Sequence, residues 1–271
     1  MFPYFTVFGK TVGLYSLCAI AGLAVCSVFA TVSFKKIKLY FEDVVILMLV
    51  IVAGVIVGGH ILYAVTKYEV LFAALPRINS FKGLWGVLTY CFGGGVYYGG
   101  FIGMFAALSI YLKHNQFDNK EYIRDVVAVC VPLFHCFGRI GCFLGGCCYG
   151  IESSFGFTVT HNDINPAING VNRFPTPLLE ALLNLMIFVF LYLLLKKNKV
   201  TGHLVLIYML VYPTVRFLTE FLRGDEVRGF FGPLSTSQWI SVILLVFAVI
   251  RLYVIYGKKK NAAPVADSTD G

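Results

Sequence analysis

The stretch His135-Cys136-Phe137-Gly138-Arg139-Ile140-Gly141-Cys142-Phe143-Leu144-Gly145-Gly146-Cys147-Cys148-Tyr149-Gly150 closes an apolar run that begins near Val126. It therefore lies at membrane depth or at the membrane surface. A solitary Arg139 there is costly, by about 2.5 kcal/mol even on the mildest scales, so it has to face a polar cavity and a partner. The glycines at 138, 141, 145 and 146 let backbone or ligand come close. An intramembrane arginine among glycines, at the mouth of a long loop, points to a site for a lipid phosphate.

Outward from this stretch the chain is built mostly of apolar runs. Its 271 residues are 58% hydrophobic and only 13% charged, against roughly 25% charged in soluble domains. At roughly 20 apolar residues per span, the expectation is an all-α polytopic membrane protein of about seven transmembrane helices. The spans fall near 11–32, 44–65, 84–112, 126–144, 178–195, 204–222 and 237–256. Residues 1–257 then form one transmembrane domain with an external segment at 145–177. Residues 258–271 form a short basic and polar tail with the composition of disorder. The first apolar run lacks the basic start of a cleavable signal and is read as a retained span. Gly54 and Gly58 have the spacing that allows close helix contact, and the third span is interrupted by glycines.

The net charge of +8 flanks the spans and is not a nucleic-acid signal. With the N-terminus outside, 12 Lys and Arg fall inside (35, 36, 38, 113, 120, 124, 196, 197, 199, 258, 259, 260) and seven outside (10, 67, 77, 82, 173, 223, 228). The positive-inside rule thus places the N-terminus outside and the C-terminus in the cytoplasm.

A second informative stretch is Tyr212 to Arg223. On a continuous helix Tyr212, Arg216, Glu220 and Arg223 share one face. One reading is an Arg216–Glu220 pair that only neutralises charge. The other turns these residues into the cavity of Arg139, where guanidinium forks match phosphate oxygens better than ammonium groups do.

These stretches together resemble the prolipoprotein diacylglyceryl transferase family of bacterial membrane enzymes. Gly138-Arg139-Ile140-Gly141-Cys142-Phe143, running on to Gly150, is similar to its signature. Tyr212, Arg216, Glu220 and Arg223 match its Tyr, Arg, Glu, Arg helix. Phe174-Pro175-Thr176-Pro177-Leu178, with Glu180 beyond it, Leu234-Ser235-Thr236-Ser237-Gln238 and Tyr98-Gly99-Gly100-Phe101-Ile102-Gly103 resemble three further family motifs, in family order. The departures are specific. The family's proposed histidine base falls on Tyr98. The Asn and Glu of its signature fall on Cys142 and Cys147, and an arginine usual after the second-span glycines falls on His60.

The resemblance implies transfer of diacylglyceryl from a phosphatidylglycerol-like donor to the lipobox cysteine thiol of a prolipoprotein signal peptide. A thioether forms and glycerol phosphate is released. The setting implied is the bacterial cytoplasmic (inner) membrane, with the bilayer as partner and no nucleic acid. No metal and no soluble cofactor is implied. Arg139 and Arg216 would hold the phosphate, with Glu220 orienting Arg216, Arg223 meeting donor or peptide, and Tyr98, Gly99 and Gly100 forming a donor loop beside Tyr212. The candidate bases are His60, His135 and Tyr98. His60 reads equally as a helix-packing residue, and His135 lies one turn before Arg139 on roughly the same face. A base is useful because free cysteine has a pKa of about 8.5.

Cys142, Cys147 and Cys148, near Cys136, leave three readings open: a metal site, a disulfide, or a polar thiol role in place of the family's Asn and Glu. The spacing is not that of a zinc ribbon, and adjacent thiols are awkward as two ligands of one ion. Cys18, Cys26, Cys91 and Cys130 read as small packing residues. Two alternatives to the transferase use the same arginines: a phospholipid-modifying enzyme with another acceptor, and a non-catalytic lipid-binding or lipid-transporting membrane protein.

Overall fold

The computed structural model describes residues 4–261, apart from 8–9, 75, 77, 161, 163–165, 199 and 226–228. The charge readings of Arg77, Lys199 and Arg228, and residues 262–271 of the tail, lie outside the described residues. Among the described residues six helices are long and apolar enough to cross a membrane, and a bent helix pair makes up to seven spans. The polytopic helical class expected from composition is what the chain adopts.

The chain divides into two compact units, Met1–Ala30 with Glu121–Gly271, and Thr31–Lys120. The first unit opens on an antiparallel pair, β1 (Tyr4–Val7) and β2 (Lys10–Gly13), which the hydropathy pattern gave no sign of. Helix α1 (Leu14–Phe34) follows, its last turn belonging to the second unit. Its lipid-facing side carries Ile20 and Val28, each about two-thirds exposed. Cys26 gives its thiol to the Cys130 carbonyl and Cys130 gives its thiol to the Cys26 carbonyl. Both act as small packing residues, as read.

The second unit holds α2 (Phe41–Thr66), the short α3 (Tyr68–Ala74), α4 (Phe81–Phe92) and α5 (Tyr97–His114). The glycine-broken third span is α4 and α5 together, bent by 91° at Gly93–Val96. Helices α2 and α5 pack through bare backbone. A Cβ on Gly54 or Gly58 would run into the Gly103 or Gly99 carbonyl, and one on Gly103 into that of Gly54. The small-residue spacing therefore serves close helix contact, where packing rather than hydrophobicity drives association.

Returning to the first unit, α6 (Lys120–Gly145) carries the signature stretch on its last turns. At its other end the buried Asp125 accepts from the Gly202 and Leu204 amides at 2.6 and 3.0 Å, capping α8 (Leu204–Thr219) from across the unit. The segment between α6 and the next helix is not featureless: β3 (Glu152–Thr158) pairs with β4 (Asn172–Arg173). Helix α7 (Thr176–Lys197) starts with Pro177 in its first turn. A 3-10 turn, Glu220–Leu222, extends α8. The strands β5 (Phe230–Phe231) and β6 (Leu234–Ser235) lead into α9 (Thr236–Asn261). The last helix thus runs four residues past the end expected for the domain. Its start is a reciprocal capping box: the Ser235 hydroxyl accepts from the Gln238 amide at 3.2 Å, and the Gln238 side chain accepts from the Ser235 amide at 2.9 Å.

Candidate active site

The buried charges of the first unit meet around one carboxylate. Glu180, one turn into α7, takes Arg139 Nη1 on Oε2 at 2.9 Å and Arg216 Nη1 on Oε1 at 2.5 Å. Thr219 adds its hydroxyl to Oε1 at 3.3 Å. Arg216 continues through Nη2 to Glu220 at 2.5 Å and to the Ser237 hydroxyl at 3.2 Å. The capping box of α9 therefore fixes the serine that holds one prong of Arg216. Helices α6, α7, α8 and α9 all contribute to the network, α8 with both Arg216 and Thr219, and Glu180 and Glu220 are 3% exposed, so solvent does not screen these pairs.

Arg139 makes one more contact. Its Nε donates to His135 Nε2 at 3.1 Å, one turn earlier on α6. That nitrogen must carry a lone pair, so the imidazole is neutral and its acceptor is committed. The His135 ring lies 5.2 Å from that of Tyr212, which stacks in turn on Tyr208. His135 and Tyr212 thus form a wall beside Arg139.

Two expectations need correction. Arg223 does not share a helix face with Tyr212, Arg216 and Glu220, because α8 ends at Thr219 and Arg223 has extended backbone after the 3-10 turn. Its guanidinium is held by Asp225, with Nε to Oδ1 at 2.8 Å. Burial works against that charge, but the Asp225 carboxylate and the neighbouring Cys148 hold the pKa of Arg223 above its ordinary value. Arg139 and Arg216 have the partner that a buried arginine requires: Glu180 bridges them. Arg139, Arg216 and Arg223 are formally balanced by Glu180, Glu220 and Asp225. The Arg216–Glu220 pairing of the simpler reading is present, inside a larger network. Second, Tyr98, Gly99 and Gly100 form no loop. They are the first turn of α5, Gly99 and Gly100 are buried, and a Cβ on Gly99 would strike the Gly58 carbonyl and Leu62 of α2. Helix packing accounts for these glycines.

His60 lies in the second unit and bonds Gly94 O through Nδ1 at 2.8 Å. A carbonyl only accepts, so Nδ1 carries a proton, and in the neutral ring Nε2 is the nitrogen left as acceptor. The bond also ties α2 to the break between α4 and α5, the packing role weighed above.

The end of α6 carries the cysteines. The sulfurs of Cys142, Cys147 and Cys148 lie within 4.8 Å of one another. Hydrogen bonds from Cys142 and Cys147 pull the Cys148 thiol well below its usual range, against burial and with help from the charges of Arg223 and Arg139. For Cys147 the bond with Cys142 lowers the pKa, while that with Cys148 and burial outweigh it, and the thiol is pushed up to about 11. Arg223 is set beside them by backbone: Tyr149 O accepts from Gly224 N at 3.0 Å and Ile151 N donates to Leu222 O at 3.1 Å. The Thr176 hydroxyl reaches the same Leu222 carbonyl at 2.8 Å.

Glu180 is the functional residue that the sequence reading passed over as a flank of the Phe174–Leu178 motif. A signal was available: it is a lone acid inside the apolar run of α7, and ionisable residues at membrane depth are functional or paired by default.

Fold and cluster together define a multi-pass membrane protein that buries an arginine–carboxylate network among four helices. A family model described as prolipoprotein diacylglyceryl transferase matches residues 3–254. The chain belongs to that family of membrane transferases. It is 34% identical to phosphatidylglycerol–prolipoprotein diacylglyceryl transferase 2 of Clostridium perfringens (strain 13 / Type A), over 94% of this chain and 98% of that protein. It is 29% identical to the transferase of that name, without the numeral, from Clostridium tetani (strain Massachusetts / E88), over 90% of this chain and 94% of the relative. The corresponding protein of Campylobacter hominis is 31% identical over 89% of this chain and 86% of the relative.

Proposed function

We propose that this chain transfers diacylglyceryl from phosphatidylglycerol to the lipobox cysteine thiol of a prolipoprotein signal peptide, at the outer side of the cytoplasmic membrane. The observation that carries this reading is the Arg139–Glu180–Arg216 network in a chain of this family. The positive-inside count supports an external N-terminus and a cytoplasmic C-terminus.

The departing group is a phosphate ester whose oxygen gains charge as its bond to glyceryl carbon breaks. Guanidinium N–H groups already fixed by carboxylates need little reorganisation to receive that charge, and such preorganised donors are commonly the largest catalytic contribution. Arg139 and Arg216 take the phosphate, while Glu180 and Glu220 hold their forks in place. The formal balance of the cluster leaves attraction to N–H donors rather than to net charge. Tyr98 hydrogen-bonds the donor lipid. His60 is the candidate base, because its bond to Gly94 O uses Nδ1 and not Nε2, whereas Nε2 of His135 is given to Arg139.

The test is a transfer assay with the purified chain, phosphatidylglycerol and a lipobox peptide, read by mass spectrometry. A diacylglyceryl adduct that disappears in Arg139→Ala, with the variant still extracted and folded, is the expected result. Glycerol phosphate released without a peptide adduct would mean another acceptor. Lipid binding without release would reduce the chain to a lipid-binding protein.

A further inference from the structure

The cysteines are the part of the site that the family reaction does not call for. Among the described residues Cys142, Cys147 and Cys148 are a group whose ligand atoms all lie within 4.8 Å of one another. Local structure brings them there. Helix α6 ends at Gly145, and the Cys147 amide returns to the Cys142 carbonyl at 3.1 Å. Gly146 at φ +69° and Cys148 at φ 55° turn the chain back over the helix end. Glycine adopts that left-handed backbone freely, and a cysteine does so at a cost. Pairing of Tyr149 and Ile151 with the 222–224 segment then holds the turn beside Arg223.

We propose that Cys142, Cys147 and Cys148 form a trithiolate site for zinc, whose fourth position takes the acceptor cysteine as a thiolate. Soft thiolates select zinc over hard cations. Zinc–sulfur bonds of about 2.3 Å in tetrahedral geometry put sulfurs about 3.8 Å apart, so the trio contracts by about 1 Å or less. Three protein ligands and one exchangeable position are the pattern of catalytic rather than structural zinc. Three thiolates with one divalent cation carry a single net negative charge, and the backbone pairing of the 149–151 and 222–224 segments keeps the turn beside the Arg223–Asp225 pair. Cys147 is exposed and lines an apolar cavity with Phe143, Tyr149, Phe157, Ile168 and Phe174, which gives an apolar peptide segment a way in.

This role rests on the transfer reaction proposed above. The acceptor thiol binds the cation and loses its proton to the base or to water. A sulfur lone pair forms the bond to glyceryl carbon, the carbon–oxygen bond breaks, and its electron pair leaves on glycerol phosphate. Nothing is oxidised or reduced. The cation thereby lowers the demand on a base in a chain with Tyr98 where the family has histidine.

The experiment uses the full chain, purified in detergent under reducing, metal-free conditions and then given zinc chloride. Metal content, and thiolate-to-cadmium charge-transfer absorption on cadmium substitution, are read directly. One zinc per chain is expected, with retention weakened more than about tenfold in Cys142→Ser and in Cys148→Ser, and unchanged in the control Cys91→Ala. Absence of bound metal in the reduced chain, or a disulfide among the three cysteines found by mass spectrometry of the untreated protein, overturns the proposal. The transfer assay separates this from the reading beneath it. Zinc bound without adduct formation would sink the transfer reaction, and with it the activating role, while leaving the metal site. An adduct formed at full rate in Cys148→Ser would remove zinc from the reaction and leave the transferase.

Discussion

Two regions of this molecule solve opposite problems. Around Glu180, four helices bury charge and must pair every group they take out of water. Between α2 and α5, the helices bury bare backbone and must keep side chains out of the way. The first region is specified by electrostatics: Arg139, Arg216, Glu220, Thr219 and Ser237 are aligned because each satisfies a neighbour. The second is specified by volume: Gly54, Gly58, Gly99 and Gly103 are aligned because each leaves room for a carbonyl opposite. Removing an atom should break the first, and adding one should break the second.

The largest effect is expected at Glu180. Glu180→Ala takes a carboxylate from two buried guanidinium groups at once, leaving Arg216 with Glu220 and Ser237 and Arg139 with the neutral His135, and losing one partner of a buried ion pair costs about 3–5 kcal/mol. Thermal unfolding in detergent should show a large loss, together with loss of transfer. Glu180→Gln, which keeps the shape and one acceptor, should recover part of the stability, and equal loss in both variants would remove charge pairing as the reason for the residue. Next comes Gly58→Ala, where one methyl meets the Gly99 carbonyl and the Gly103 Cα. Overpacking of this kind costs about 1–3 kcal/mol, and a variant as stable as the parent would show that the α2–α5 contact tolerates separation.

Asp125→Ala tests the charged region away from its centre. It removes an acceptor from the Gly202 and Leu204 amides, a loss of about 0.5–2 kcal/mol by the usual worth of a helix cap, with little change in the lipid-binding affinity of the folded protein. Smallest of all is Arg124→Ala. Its partner Glu121 is more than half exposed, and such surface pairs contribute about 0–1 kcal/mol. A shift comparable to that of Asp125→Ala would overturn the distinction between buried and surface charge drawn here.

Much of this was legible without coordinates. Runs of about 20 apolar residues leave few alternatives to membrane helices, and an arginine inside one has to find an anion. Arg139 and Arg216 stood out for that reason, and the order of motifs from Tyr98 to Gln238 carried the family. The Gly54–Gly58 contact was legible because bare backbone is the condition for close helix packing. The Tyr98-Gly99-Gly100 stretch was misread as a loop because glycine clusters mark loops and tight helix packing alike, and only the facing helix separates the two.

What the chain determined by itself is therefore which residues cannot be left alone in a membrane. What only the tertiary structure decided is which groups they meet. Glu180 became the centre of the network because α7 brings it between α6 and α8, a distance of 36 residues from Arg216 and 41 from Arg139 along the chain. Arg223 left the helix face that its spacing suggested because the last turn tightens at Glu220 and the backbone then pairs with Tyr149 to Ile151. Cys147 and Cys148 met Cys142 because left-handed backbone at Gly146 and Cys148 reverses the chain. Spacing along a sequence reports faces of regular elements, and each of these three meetings depends on a partner or a turn outside the element.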